Sequence, residues 1–237
     1  MDRREMTNSF SALSLLDAAA ADGDHEPQSS SGKSLKTGGS SGEKVGEGME
    51  ILNDKSPLVW IDLEMTGLNA EVDRILEIAC VITDGKLNHS VEGPNLVIGQ
   101  TQECLDQMDK WNQEHHGASG LKAAVLQSEV TEQEAERQVM EFVKRYVGER
   151  TAQLAGNSVY TDLIFLKKYM PNLAAMFSHV LVDVSSVRAL SFCWYSAASK
   201  KAPKKYRKHR AMNDIKGSIA ELKFFKENIF KPSPGKK

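Results

Sequence analysis

Cysteine is scarce in this chain. Cys80, Cys104 and Cys193 are three among 237 residues, far apart and without CxxC spacing. That excludes a disulfide-stapled scaffold and a cysteine-ligated zinc module, and it fits free thiols in a reducing compartment. Long apolar runs are missing too. No stretch approaches the ~20 residues that a spanning helix needs, so the chain reads as soluble, with no membrane partner. A dominant charge is the third absence: 30 Lys/Arg oppose 32 Asp/Glu, and the formal net charge of −2 argues neither for nor against nucleic acid. The imbalance is local. Residues 1–56 hold six basic and ten acidic side chains, leaving 24 against 22 for the remainder.

What is present divides the chain in three. Residues 22–56 are dominated by Gly, Ser, Lys, Glu and Asp, which cannot bury enough apolar area to fold, so residues 1–56 read as a flexible leader. Residues 10–21 are rich in Ser, Leu and Ala, as in an organelle transit peptide, but Asp2, Glu5, Asp17, Asp22 and Asp24 spoil that pattern. The reading is an intracellular protein, cytoplasmic or mitochondrial. Residues 57–230 form the folded domain, and 231–237 a basic C-terminal tail.

The domain opens with Leu58-Val59-Trp60-Ile61, an apolar run suited to a buried strand. A second strand spans residues 75–83. Asp84-Gly85 is a hairpin signal, so residues 87–98 should pair antiparallel with it, despite Gly93-Pro94. A short helix over 104–108 and a loop over 111–120 follow. Thr131 and Glu134 make a capping box for a helix whose stripe is Ala135, Val139, Phe142, Val143, Tyr146 and Val147. Strands near Leu154 and over 180–184 alternate with a helix over 165–170, closed by Pro171, and with a late helix striped by Met212, Ile215, Ile219 and Leu222. Three meandering strands, then alternating helices and strands, predict a single α/β domain: a mixed sheet flanked by helices, without internal repeats.

Asp62 and Glu64 stand two residues apart at the end of the first strand, where the period of 2 puts both on one face and lets them share a cation. Alone, D-x-E reads first as two solvated carboxylates at a strand end. Late in the chain, His209 and Asn213 lie at i, i+4 and share a helix face; a histidine with no chemical task is the plain alternative. Between them, Asp162 falls at a strand-to-helix transition, where an N-cap is its ordinary role.

Several longer motifs accompany these residues: Trp60-Ile-Asp62-Leu-Glu64-Met-Thr-Gly-Leu68, Asp73-Arg-Ile-Leu-Glu-Ile, Trp111-Asn with Gly117-Ala-Ser-Gly-Leu121, Gly156-Asn-Ser, Lys168-Tyr-Met-Pro171, Asp183-Val-Ser185 and His209-Arg-Ala-Met. In order and spacing, over about residues 58–230, they resemble the oligoribonuclease family of DEDD exonucleases. The resemblance implies a ribonuclease H-like fold with a mixed five-stranded sheet, and a homodimer that cuts di- and short oligoribonucleotides from the 3′ end to 5′-mononucleotides. It implies two Mg²⁺ or Mn²⁺ ions on Asp62, Glu64, Asp162 and the residue at 213, with His209 taking the proton from the attacking water. It further implies Leu68 as a wedge between bases, Trp111 as a stacking platform, His116 nearby, and Ser158 and Ser185 as hydroxyl donors to the terminal phosphate.

Two departures from that pattern shape the expectations. The resemblance is read as requiring an aspartate four residues after the histidine, and this chain has Asn213, whose amide oxygen supplies no negative charge. Asp214 is one helical step away, rotated by roughly 100°. The expectation is a weakened nuclease, with a catalytically impaired oligonucleotide-binding homodimer as the alternative. An exonuclease acting on longer RNA or DNA is a second rival. The other departure is His179-Val180, where the family commonly has a Tyr-Arg pair contributed across the dimer. Residues 200–210 carry seven Lys/Arg in eleven positions, readable as an RNA-steering run, a solvated loop or a nuclear-localisation-like segment.

Overall fold

In the computed structural model the described residues are 51, 54–148, 151–203 and 210–230. The expected tail, most of the leader, and residues 204–209 of the basic run with His209 lie outside them. Ile51, on the leader side of the expected boundary, is fully buried in the core.

The first three strands are β1 (Leu58–Met65), β2 (Ile75–Thr83) and β3 (Ser90–Val97), an antiparallel meander. Helices α1 (Gln102–Asp106), α2 (Lys110–Ala118), α3 (Leu121–Gln127) and α4 (Glu132–Val147) lead to β4 (Gln153–Gly156). Then come α5 (Tyr160–Tyr169), α6 (Pro171–Ala174), β5 (Val182–Asp183), α7 (Val184–Trp194), α8 (Ser196–Ser199) and α9 (Ala211–Asn228). The sheet order is β3-β2-β1-β4-β5, with β1, β4 and β5 parallel. This is the mixed sheet expected from the strand order, with the five strands that the resemblance implied.

Alternation along β1 sends its residues into two different cores. Val59, Ile61 and Leu63 pack with Ala135, Val139, Val143 and Val147 of α4 in one cluster. Leu58 and Trp60 face the opposite way, into a cluster with Ala211, Ile215 and Phe225 of α9. Asp62 and Glu64 continue the parity of Leu58 and Trp60, so they emerge on the face that α9 covers. A bidentate ion pair, Arg188 to Glu221 at 2.5 and 2.6 Å, ties α9 to α7.

Two local expectations are corrected. Residues 111–120, read as a loop, are mostly helix: Asp109 caps α2 by accepting from Asn112 N–H, and α3 starts after Gly120 at φ +75°. Few apolar residues and two glycines hid that helix from periodicity. The capping box forms only in part. Thr131 Oγ1 accepts from Glu134 N–H at 3.2 Å, while the Glu134 carboxylate turns to Arg137 and Gln138.

Candidate active site

Asp62 and Glu64 lie where β1 passes the last rung of its parallel pairing with β4, beyond Trp60 and Ala155. Ligands in α/β sheets bind at such carboxyl ends. Oxygens of Asp62, Glu64 and Asp214 lie within 4.8 Å of one another, the one potential metal-holding group of three or more His, Cys, Asp or Glu among the described residues. Asp162, on the first turn of α5 and buried, accepts from the Leu63 N–H at 2.9 Å, which fixes it against the strand between the two β1 acids.

Asp214, not Asn213, brings the carboxylate from α9, and Asn213 is exposed. The expectation that Asp214 turns away is therefore overturned. Its cause was the choice of helix face. Taking Asn213 as the site position put Asp214 one helical step away from it, whereas the buried positions are Ala211, Ile215, Ser218, Glu221 and Phe225, and Asp214 sits at i+3 from the first of them.

The acids crowd one another. The Glu64 carboxyl is pushed up to about 8 by burial first, then by the negative charges of Asp214, Glu77 and Asp162, against a smaller opposing pull from Arg210. A divalent cation would relieve that repulsion, and hard oxygen donors of this kind suit Mg²⁺ or Mn²⁺. The donor set fits.

His116 on α2 is buried against this group, although the sequence suggested only that it lay near the substrate. Its Nε2 is 3.0 Å from the Met65 carbonyl, which can only accept, so Nε2 carries the proton and Nδ1 faces Glu64 Oε2 at 3.9 Å. Glu77, at the β2 position in register with Glu64, binds Arg210, a contact that periodicity could not reveal.

The other predicted substrate residues lie on the loop after β1, on α2, and just past β4 and β5. Leu68 is 42% exposed on the loop after β1. Asp73 organises that loop, accepting from Thr66 Oγ1 and Asn69 N–H, and Tyr169 OH donates to the carbonyls of Ala70 and Asp73. A Cβ on Gly67 would meet Asp73 Oδ2 at 2.5 Å, so a larger residue there would displace this carboxylate from its loop hydrogen bonds. Trp111 is half-exposed on α2, its ring stacked at 3.8 Å on His115. Ser158, just past β4, and Ser185, in the first turn of α7 just past β5, come together: Ser158 Oγ donates to Ser185 Oγ at 3.2 Å. Both their N–H groups donate to Asp183 Oδ1, at 3.0 and 2.8 Å. Ser158 sits at φ +50°, a strained backbone of the kind found at functional sites. Asp183 is the hub of the pair, and sequence reasoning missed it; its place at the start of the Asp-Val-Ser run was the available clue.

Fold and acidic cluster together define a nuclease of the ribonuclease H-like class. A family model described as Exonuclease matches residues 59–222, and exonucleases of this kind depend on divalent metal ions. The structure of E. coli exonuclease I with a 5cy-dT13 oligonucleotide has the same fold, with a TM-score of 0.57 at 15% identity, covering 74% of this chain and 42% of that one. Among curated relatives, the Arabidopsis thaliana oligoribonuclease is 56% identical over 96% of this chain and 98% of its own length. The mitochondrial oligoribonuclease of Homo sapiens is 49% identical over 73% of each. The chain belongs to the oligoribonuclease family. No helix among the described residues is long and apolar enough to cross a membrane.

Proposed function

We propose that the protein hydrolyses di- and short oligoribonucleotides from the 3′ end to 5′-mononucleotides. One observation carries the reading: Asp214 completes a three-carboxylate group with Asp62 and Glu64, next to Asp162. These four residues would hold two Mg²⁺ or Mn²⁺ ions, whose chemistry when bound is to offset charge on the phosphodiester oxygens and to acidify water. Asp214 offers the charge that Asn213 lacks, which supports an active enzyme over a weakened one or an impaired binder.

The remaining work falls to the chain's own side chains. His209, one residue before Arg210, accepts the proton of the attacking water, a task for which an imidazole with an ordinary pKa near 6.5 is suited. Leu68 and Trp111 hold the bases by wedging and stacking, because so short a substrate offers few phosphates to grip. The Ser158 and Ser185 hydroxyls, on backbones held by Asp183, donate to the terminal phosphate. His116 borders the substrate, its Nδ1 3.9 Å from Glu64 Oε2. His179 and Val180 replace the Tyr-Arg clamp, which places more of the phosphate recognition on the serines. Exposed Leu190, Phe192, Trp194 and Tyr195 support a homodimer.

The test is Mn²⁺- or Mg²⁺-dependent hydrolysis of a 5′-labelled length series by the purified full chain. Faster turnover of dinucleotides than of twenty-mers is expected. Preference for twenty-mers, or for DNA, favours an exonuclease for longer strands, and binding without turnover favours a non-catalytic protein.

A further inference from the structure

Glu77 is a fully buried carboxylate directly across the β1–β2 ladder from Glu64. Opposed residues on neighbouring strands point to the same face, so this placement sets two like charges side by side, which is unfavourable. Burying a carboxylate requires a partner. Arg210 provides it: its Nε lies 3.1 and 3.0 Å from the two Glu77 oxygens, and its Nη2 lies 2.7 Å from Oε1.

The same carboxylate makes one more contact. Ala211 N–H, the first donor of α9, points to Glu77 Oε2 at 3.2 Å. Arg210 occupies the N-cap position but makes no side-chain cap of its own. Helix starts leave N–H groups unsatisfied and carry partial positive charge, and both needs are met here from a different element, the middle of the sheet. The next turn is closed on Arg210 as well, whose carbonyl accepts from Asn213 N–H and Asp214 N–H at 2.9 and 3.1 Å. The carboxylate of Asp214 is thus one helical turn from a fixed point that is itself in register with Glu64.

We propose that Glu77 and Arg210 form a positioning pair that caps α9 from across the sheet and so sets Asp214 against Asp62 and Glu64. The inference rests on the reading of those three acids as a cation site. It adds that the site is built by a buried ion pair outside the ligand set, and that Arg210 also anchors the chain next to His209. Neither residue belongs to the Asp62, Glu64 and Asp214 group.

The experiment is calorimetric titration of the full chain with Mn²⁺ alone, without RNA, for the native protein and for Asp214→Asn, Glu77→Gln, Arg210→Met and Arg210→Lys, each shown folded by circular dichroism. Glu77→Gln and Arg210→Met should bind Mn²⁺ about 10- to 100-fold more weakly, the usual cost of losing a residue that orients a metal ligand. Arg210→Lys, which keeps the charge and loses the fork, should fall between, and excess Mn²⁺ should restore its turnover of a dinucleotide. The double variant should be no worse than the weaker single, since both act through one contact. Native affinity in Glu77→Gln and Arg210→Met, with Asp214→Asn defective, overturns this inference alone. No Mn²⁺ binding by the native chain, or undiminished binding by Asp214→Asn, overturns the cation site and the inference together. Where Glu77→Gln does not fold, Arg210→Lys decides, and undiminished affinity there counts against the pair.

Discussion

Glu134 and Glu141 on the outer face of α4 and Glu64 at the end of β1 are the same side chain in opposite company. On α4, Arg137 reaches both glutamates at 2.6 Å, and hydrogen bonds from Arg137 and Gln138 hold the Glu134 carboxyl well below its usual range. At the end of β1, burial and three neighbouring carboxylates raise Glu64, and the Arg210 guanidinium opposes them only in part. The α4 cluster pairs its carboxylates with a cation of its own. The β1 cluster has accumulated negative charge in a half-buried place, which costs stability and makes sense where a cation is to be bound. Function is written in the cluster that the fold leaves electrostatically unbalanced.

The largest effect that separates the two regions comes from Asp62→Asn, which should lower turnover of a dinucleotide by at least about a hundredfold, more than the loss of an orienting residue usually costs. Steady-state kinetics at fixed Mn²⁺ measures it, and a change of only a few fold would remove Asp62 from the ligand set. Next is Trp111→Ala. Base stacking is worth about 1–3 kcal/mol, so dinucleotide affinity should weaken roughly five- to hundredfold with Mn²⁺ affinity unchanged. If that ring only anchors its helix, thermal stability will drop instead.

The pH dependence follows from Glu64. Its carboxyl is raised from the ordinary 4.5 to about 8, so between those values the folded, metal-free chain holds a proton that the unfolded chain has released. This contribution to stability is full below about 4.5 and is lost as pH rises through about 8. A cation displaces that proton, so the rise in melting temperature caused by Mn²⁺ should grow from pH 6 to pH 8.5; a pH-independent rise would contradict the assignment. The smallest effect belongs to α4. Arg137→Ala breaks exposed pairs only, and both turnover and Mn²⁺ affinity should stay within about twofold of the native values.

Much of this was legible in the residues because the information was local. β2 was read at 75–83, its bounds in the structure, since a turn flanks it and every residue in it is buried. Asp62 and Glu64 share a face by strand parity alone, and Thr131 announces α4. The difficult part was rotation. The stripe of α9 contains both Met212 and Ala211, and choosing between them decides whether Asn213 or Asp214 faces the sheet; only the packing of Ala211 and Ile215 under Trp60 resolves it. Contacts such as Glu77 with Arg210, 133 residues apart, leave no periodic trace. Asp183 was visible as part of a motif, but its service to two serine N–H groups required β4 and β5 side by side.

The central claim is that Asp214, and not position 213, supplies the fourth carboxylate. Asp214→Asn and Asn213→Asp, compared with the native chain for Mn²⁺-dependent hydrolysis of one labelled RNA dinucleotide, test it most directly. Loss of turnover by at least about a hundredfold in Asp214→Asn with Asn213→Asp within about twofold of native is the predicted result. Retained turnover in Asp214→Asn, or a large gain in Asn213→Asp, would contradict it.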